Sequence, residues 1–218
     1  MAAFLRQTRA IQAVTQRQAR LIFALDATAS REPTWAQARA LHGELFSAAA
    51  ETTSLAVQLC YYRGMAEFKA SGWLTSAGAL LDCMSGVSCM AGMTQIGRVM
   101  RHALDAGSPA HPIRAVIFVG DACEETPDAL LALAGQCGLK KIPLFLFQEG
   151  NDSGTRSVFQ QMAKLSGGAS VPFDANSAEH LRQLLGAVAR FARGGIKALR
   201  DANTSGDRLL LEQLEKAP

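Results

Sequence analysis

Residues 20–35 read RLIFALDATASREPTW. Leu21 to Leu25 form an uninterrupted apolar run, and oxygen-bearing side chains then recur at every second position, at Asp26, Thr28 and Ser30. A short continuous apolar run bounded by polar residues marks a strand buried on both faces, as in a parallel sheet covered by helices. Alternate side chains of an extended chain point the same way, so one carboxylate and two hydroxyls converge at the strand's carboxyl edge. Only Ala27 and Ala29 lie between them. Two readings follow. Small hard oxygens in such an array suit a cation such as Mg²⁺; Asp, Thr and Ser are also ordinary turn residues that close a strand.

The same apolar pattern recurs outward from this stretch, in AVIFVG (115–120) and PLFLF (143–147). Between the runs lie segments with helical character. Residues 33–50 start with Pro33 in the first turn, 94–107 start at Thr94 as a candidate N-cap and close on Gly107, and 126–138 carry Pro127 early and Gly138 late. Further helices are expected over 154–168 and 177–195. One region breaks the alternation: SLAVQLCYYRG followed by AEFKASGW reads as two strands turning at Arg63-Gly64. The expected fold is therefore α/β, three-layered and Rossmann-like, with a mostly parallel sheet, one antiparallel edge strand and helices on both faces. The domain is expected over 20–193, preceded by a basic arm (1–19) and followed by a C-terminal tail or short docking helix (194–218).

Composition narrows the function. The chain has 218 residues, 49% of them apolar and 19% charged, enough for one domain with a real core. Its net charge of +3 is concentrated at the start, where Arg6, Arg9, Arg17 and Arg20 stand without an acid. No basic stripe interleaved with aromatics appears, which argues against nucleic acid as a partner. The 5 cysteines include no CxxC pair, as expected of reduced thiols in a cytoplasmic protein rather than of zinc or disulfide scaffolds. No apolar run reaches the length of a membrane span. The Arg-rich start is poor in serine and runs straight into the first strand, unlike a cleavable leader.

Two features join the Asp26 stretch. VGDACEE puts Asp121 at the carboxyl edge of another buried strand, where open α/β sheets bind ligands. If the two strands are neighbours, Asp26 and Asp121 face each other and repel unless one is protonated or a cation lies between them. CMAGMTQIG places Thr94 after a glycine-containing loop at the start of a helix. With these residues the chain resembles the von Willebrand factor type A (VWA) family. That family's metal-ion-dependent adhesion site combines a DxSxS-type motif after the first strand, a threonine in a later loop, and an aspartate ending the fourth strand. Asp26, Thr28, Ser30, Thr94 and Asp121 match in type and order, with Thr28 keeping the hydroxyl of a serine. Glu124 and Glu125, which follow Asp121, are candidates to alter metal preference.

The resemblance implies a divalent-metal-dependent protein-binding module, an adaptor rather than an enzyme. An Asp or Glu of a partner protein would complete the metal's coordination. Five compact oxygen ligands favour Mg²⁺ or Mn²⁺ over Ca²⁺. Bacterial cytosolic members often serve as adaptors, so an AAA-type ATPase or a subunit of a complex is a candidate partner. VGDACEE is also similar to the GDxxx(D/E) element of haloacid-dehalogenase-type phosphohydrolases, with Asp26 as nucleophile and Lys140 or Lys141 clamping phosphate. Thr28 then stands where that chemistry needs an acid, and cannot protonate a leaving group. A dinucleotide-binding site would need glycines after the first strand, and DATASRE has none.

Other chemistry-bearing residues have two readings each. Trp35 is either a partner anchor beside the metal loop or packs beneath the first helix. Tyr61, Tyr62 and Arg63 are either a partner-facing patch or strand formers. Cys123 lies near Asp121 with nothing to mark it as a thiolate. His42, His102, His111 and His180 share no ligand spacing and read as structural or surface residues.

Overall fold

In β1 (Ala19–Asp26), Leu21, Phe23 and Leu25 enter one core while Ile22 and Ala24 enter another. The same division runs through β4 (Ile113–Gly120), where Ile117 and Val119 face the first core and Val116 and Phe118 the second. A strand with apolar residues on both sides is stable only when both faces of the sheet are covered. In the computed structural model, which describes residues 19–32, 35, 55–173 and 178–215, they are.

The sheet has six strands in the order β3-β2-β1-β4-β5-β6, completed by β2 (Leu55–Arg63), β3 (Glu67–Ala70), β5 (Leu144–Glu149) and β6 (Ala169–Phe173). All pairings are parallel except β2 with the edge strand β3. Helices α1 (Ala77–Ser85), α5 (Ala178–Ala202) and α6 (Ser205–Glu215) contribute to the first core, joined by Trp35. On the other face lie α2 (Ile96–Ala106), α3 (Pro127–Leu139) and α4 (Ser153–Ser166). The α/β class, the three layers and the single antiparallel edge strand are those expected from the sequence.

Two elements carry weaker sequence signals. β6 contains Pro172, which lacks the N–H of a ladder donor and is tolerated because β6 is an edge strand. α1 is only nine residues long; its start is marked by Ser76, whose hydroxyl accepts the Ala79 N–H at 3.3 Å. The helix expected over 33–50, with His42, lies outside the described residues except for Trp35, as does the basic arm except for Ala19.

The boundary expected at 193 falls inside α5, which breaks at Gly195 and continues to Ala202. Leu199 and Leu210 are fully buried in the first core. The α5–α6 turn is held by Asp207, 0% exposed, whose carboxylate accepts from Arg190 Nε (2.9 Å), the Thr204 N–H (2.8 Å) and the Thr204 hydroxyl (2.7 Å).

At the carboxyl end of the sheet, the β2–β3 turn is clamped to the segment before α2. The Arg63 guanidinium donates to the Ser88 carbonyl and hydroxyl, both at 2.8 Å, while Arg98 donates to the Ala66 carbonyl at 2.6 Å. Gly92 packs so closely that a Cβ there would lie 2.1 Å from the Gly64 carbonyl oxygen.

Two substitutions test these braces in urea denaturation. Asp207→Ala strands the half-buried Arg190 and the Thr204 N–H and is expected to cost about 2–4 kcal/mol. Gly92→Ala forces backbone against backbone and is expected to cost about 1–3 kcal/mol. A loss under about 0.5 kcal/mol in either, the range of ordinary surface changes, would show that the brace is dispensable.

Candidate metal site

β1 and β4 are parallel neighbours, with Leu25 opposite Val119. After β1 the chain moves to β2 on one side, whereas β4 lies on the other, so their carboxyl ends flank the point where strand order reverses. Such points hold the ligand crevices of open α/β sheets. Asp26, Thr28, Ser30, Thr94 and Asp121 all line one cavity there, with a volume of about 240 Å³. The five residues singled out in the sequence are thus brought together at one place. They grade from floor to rim: Asp26 is 1% exposed, Thr94 and Thr28 are buried, Asp121 is half-buried and Ser30 is open.

Asp26 is the electrostatic centre. Its Oδ1 accepts the Thr28 N–H at 2.7 Å, and its Oδ2 accepts the Tyr62 hydroxyl at 3.0 Å. Burial nevertheless pushes its carboxyl above the usual aspartate range, and the Asp121 charge adds to that, against the lowering effect of the bonds from Thr28 and Tyr62. Tyr62 is fully buried and stacks on Phe118, with ring centroids 6.2 Å apart. Burial and the Asp26 charge hold its phenol well above the usual range, so it remains a donor. Thr28 Oγ1 and Ser30 Oγ stand 3.3 Å apart, two hydroxyls side by side.

The Thr94 loop is fixed by the acids that follow Asp121. The Glu124 carboxylate accepts the Thr94 N–H at 2.9 Å, and the Glu124 N–H donates to Thr94 Oγ1 at 3.0 Å. Thr94 therefore does not cap α2, which begins at Ile96. Glu125 caps it: one carboxylate oxygen accepts the Ile96 N–H and the other the Gly97 N–H, the latter at 3.0 Å. Both glutamates, expected as modifiers of metal preference, spend carboxylate oxygens on backbone donors, although Glu124 still borders the cavity.

Arg31 has no signal in the sequence beyond its place after Ser30. It is 2% exposed and ion-paired with Glu149 at the end of β5. Burial lowers its pKa, opposed by the charges of Asp121 and Asp26. A fixed guanidinium thus stands in the field of the acidic pair. Tyr62, which the sequence offers as a strand former or part of a partner-facing patch, is instead a buried donor to Asp26.

Several alternatives are corrected. Trp35 is buried in the first core with its ring edge-on to Tyr61 at 6.2 Å, so it is not exposed to a partner. Lys140 donates to the Leu104 carbonyl at 2.8 Å and borders a cavity shared with Ile113, at the opposite end of β4 from Asp121. With Lys141 beside it, neither lysine can clamp a phosphate at Asp26. Cys123 is half-buried, and burial raises its thiol. His102 is engaged with Gln58 at 2.8 Å, and all five cysteines are unpaired.

The donor set decides which ion this cavity suits. Among the described residues no group of three or more His, Cys, Asp and Glu side chains is placed to hold a metal. The cavity instead offers three hydroxyls with the carboxylates of Asp26, Asp121 and Glu124, the last already accepting the Thr94 N–H, a hard-oxygen set that fits Mg²⁺ or Mn²⁺. A cation here would also relieve the Asp26–Asp121 repulsion.

No family model and no curated protein matches the chain in sequence. Solved structures do match in shape. An aerotolerance-related membrane protein from Bacteroides fragilis superposes with a TM-score of 0.61 at 15% identity, covering 78% of this chain and 98% of that one. A von Willebrand factor type A protein from Catenulispora acidiphila gives 0.59 at 14% identity, covering 81% and 43%. The SpRpn10 VWA domain gives 0.58 at 10%, covering 75% and 95%. No helix among the described residues is long and apolar enough to cross a membrane. Identities this low speak for architecture alone, and on that ground the chain has the von Willebrand factor type A fold.

Proposed function

We propose that this protein is a divalent-metal-dependent protein-binding module, an adaptor rather than an enzyme, in which Asp26, Thr28, Ser30, Thr94 and Asp121 hold Mg²⁺ or Mn²⁺. The observation that carries the reading is the convergence of these five side chains on one cavity at the strand-order switch. The metal, when bound, would supply an electrophilic centre able to take an Asp or Glu side chain of a partner protein as a further ligand. A bacterial, cytoplasmic setting with an AAA-type ATPase or another complex subunit as partner belongs to the same proposal, on the likeness to VWA domains.

This chain's own residues have separable tasks. Asp26 and Asp121 would bring the negative charge, while the hydroxyls of Thr28, Ser30 and Thr94 would add neutral oxygens, so that five side chains leave one position of an octahedral ion for a further ligand. The Thr28 N–H and the Tyr62 hydroxyl orient the Asp26 carboxylate. The Glu124 N–H occupies one lone pair of Thr94 Oγ1 and so fixes the direction of the other. Ser30 and Asp121 stand on the open side, where an incoming carboxylate would arrive.

Calorimetric titration and thermal melting test the reading together. Mg²⁺ at one hundred times its Kd should stabilise the protein by about 2.7 kcal/mol, reversed by EDTA. Asp121→Ala should abolish both the heat of binding and the stabilisation; a parent protein that takes up neither Mg²⁺ nor Mn²⁺ would refute the proposal. Tyr62→Phe removes only the donor to Asp26 Oδ2 and should weaken Mg²⁺ binding about tenfold, the usual effect of losing a bond that orients a ligand.

A further inference from the structure

The chain has seven methionines; Met1 lies outside the described residues, and the other six fall into two groups. Met84, Met100 and Met162 are core residues no more than 1% exposed, whereas Met65, Met90 and Met93 are 74%, 46% and 49% exposed. Two of the exposed group adjoin residues that line the candidate metal cavity, and the third follows a residue packed on that lining. Met90 and Met93 bracket Ala91 and Gly92, both of which line it. Met65 follows Gly64, on whose backbone Gly92 packs and whose carbonyl accepts from Gln95 Nε2 at 3.4 Å. The other large apolar side chains exposed among the described residues, Leu139, Leu165, Ile196 and Leu209, lie on α3, α4, α5 and α6.

A polar anchor ringed by apolar contacts is a common plan for recognition, because the ring excludes water from the anchor. Methionine suits such a ring: it is unbranched, flexible and polarizable, and adapts to different apolar partners. The cavity itself carries Asp26, Asp121 and Glu124, which repel a segment rich in acids. The fitting occupant thus has a single carboxylate with apolar neighbours. In an extended segment the side chains on the same face as the carboxylate are two positions away, about 6.6 Å along the strand.

We infer that Met65, Met90 and Met93 form an apolar rim that selects an extended partner segment of the pattern apolar–x–acid–x–apolar, its carboxylate directed into the cavity. The inference rests on the metal-dependent reading above and specifies the chemistry of the partner.

The test is fluorescence anisotropy of the full chain in Mg²⁺ with two labelled, end-blocked heptapeptides, Gly-Leu-Ser-Asp-Ser-Leu-Gly and Gly-Ser-Ser-Asp-Ser-Ser-Gly. The leucine peptide is expected to bind about tenfold more tightly, the gain from partly burying two leucine side chains. EDTA should release both. In the variant Met65→Ser/Met90→Ser/Met93→Ser the two peptides should bind alike; its thermal melt reports folding, and Met93→Ser alone replaces it if the triple variant unfolds. Equal binding of the two peptides to the parent, or a leucine preference that survives the serine substitutions, overturns the rim while EDTA-sensitive binding leaves the metal reading standing. Binding that ignores EDTA, or no binding of either peptide, overturns both.

Discussion

The buried carboxylate of Asp26, placed beside a second carboxylate at the middle of the sheet, is the constraint around which the upper half of this molecule is arranged. An ionised group this deep carries a desolvation penalty of several kcal/mol unless it is well supplied with donors or counter-charge. Here the Thr28 N–H, the Tyr62 hydroxyl and the field of the buried Arg31 share that load. They do not remove it, since Asp26 remains shifted toward its protonated form. A fold that keeps such a conflict at its strand-order switch gains nothing in stability from it. Protonation of one carboxylate or a cation between the two would relieve the conflict, and the proposed function takes the second course.

Around the conflict the loops are braced against one another as well as against the sheet. Thr94 and Glu124 exchange hydrogen bonds in both directions, Glu125 caps α2 from a different loop, and Gly92 lies on the backbone of Gly64. Arg63 and Arg98 close the same assembly from the β2–β3 side. Loops joined in this way shift together, so the position of Thr94 relative to Asp26 and Asp121 is held by hydrogen bonds rather than by chance packing. A rigid frame also explains how three methionines can stand exposed without collapsing into the cavity: the backbone that carries them is fixed, while the side chains stay adaptable.

The lower end of the sheet has a different character. Lys140 is spent on the Leu104 carbonyl, and the surrounding cavity is lined mostly by Leu104, Pro109, Pro112, Ile113 and Ile142. Acidic side chains are therefore gathered at the carboxyl edge of the strands, while this cavity at the amino edge is mostly apolar with one lysine. The α5–α6 pair adds a separate polar lock at Asp207, far along the chain from either edge, which joins the C-terminal helix to the first core.

Read alone, the sequence determined the parallel sheet, because continuous apolar runs cannot be half-exposed, and it determined the hairpin, because Arg63-Gly64 separates two strand-forming runs without room for a crossover. It also singled out Asp26, Thr28, Ser30, Thr94 and Asp121, though only through their joint resemblance to the VWA pattern, since Asp, Thr and Ser after a strand are equally ordinary turn residues. What it could not show were residues whose role depends on a neighbour distant in the chain. Tyr62 is an ordinary strand aromatic until the parallel pairing of β1 and β2 sets its hydroxyl on Asp26. Glu125 is one acid among several until it meets the first N–H groups of α2, and Trp35 can be an anchor or core until the first core closes over it. Local patterning sets which face of an element is apolar; only the packed chain decides which polar group meets which.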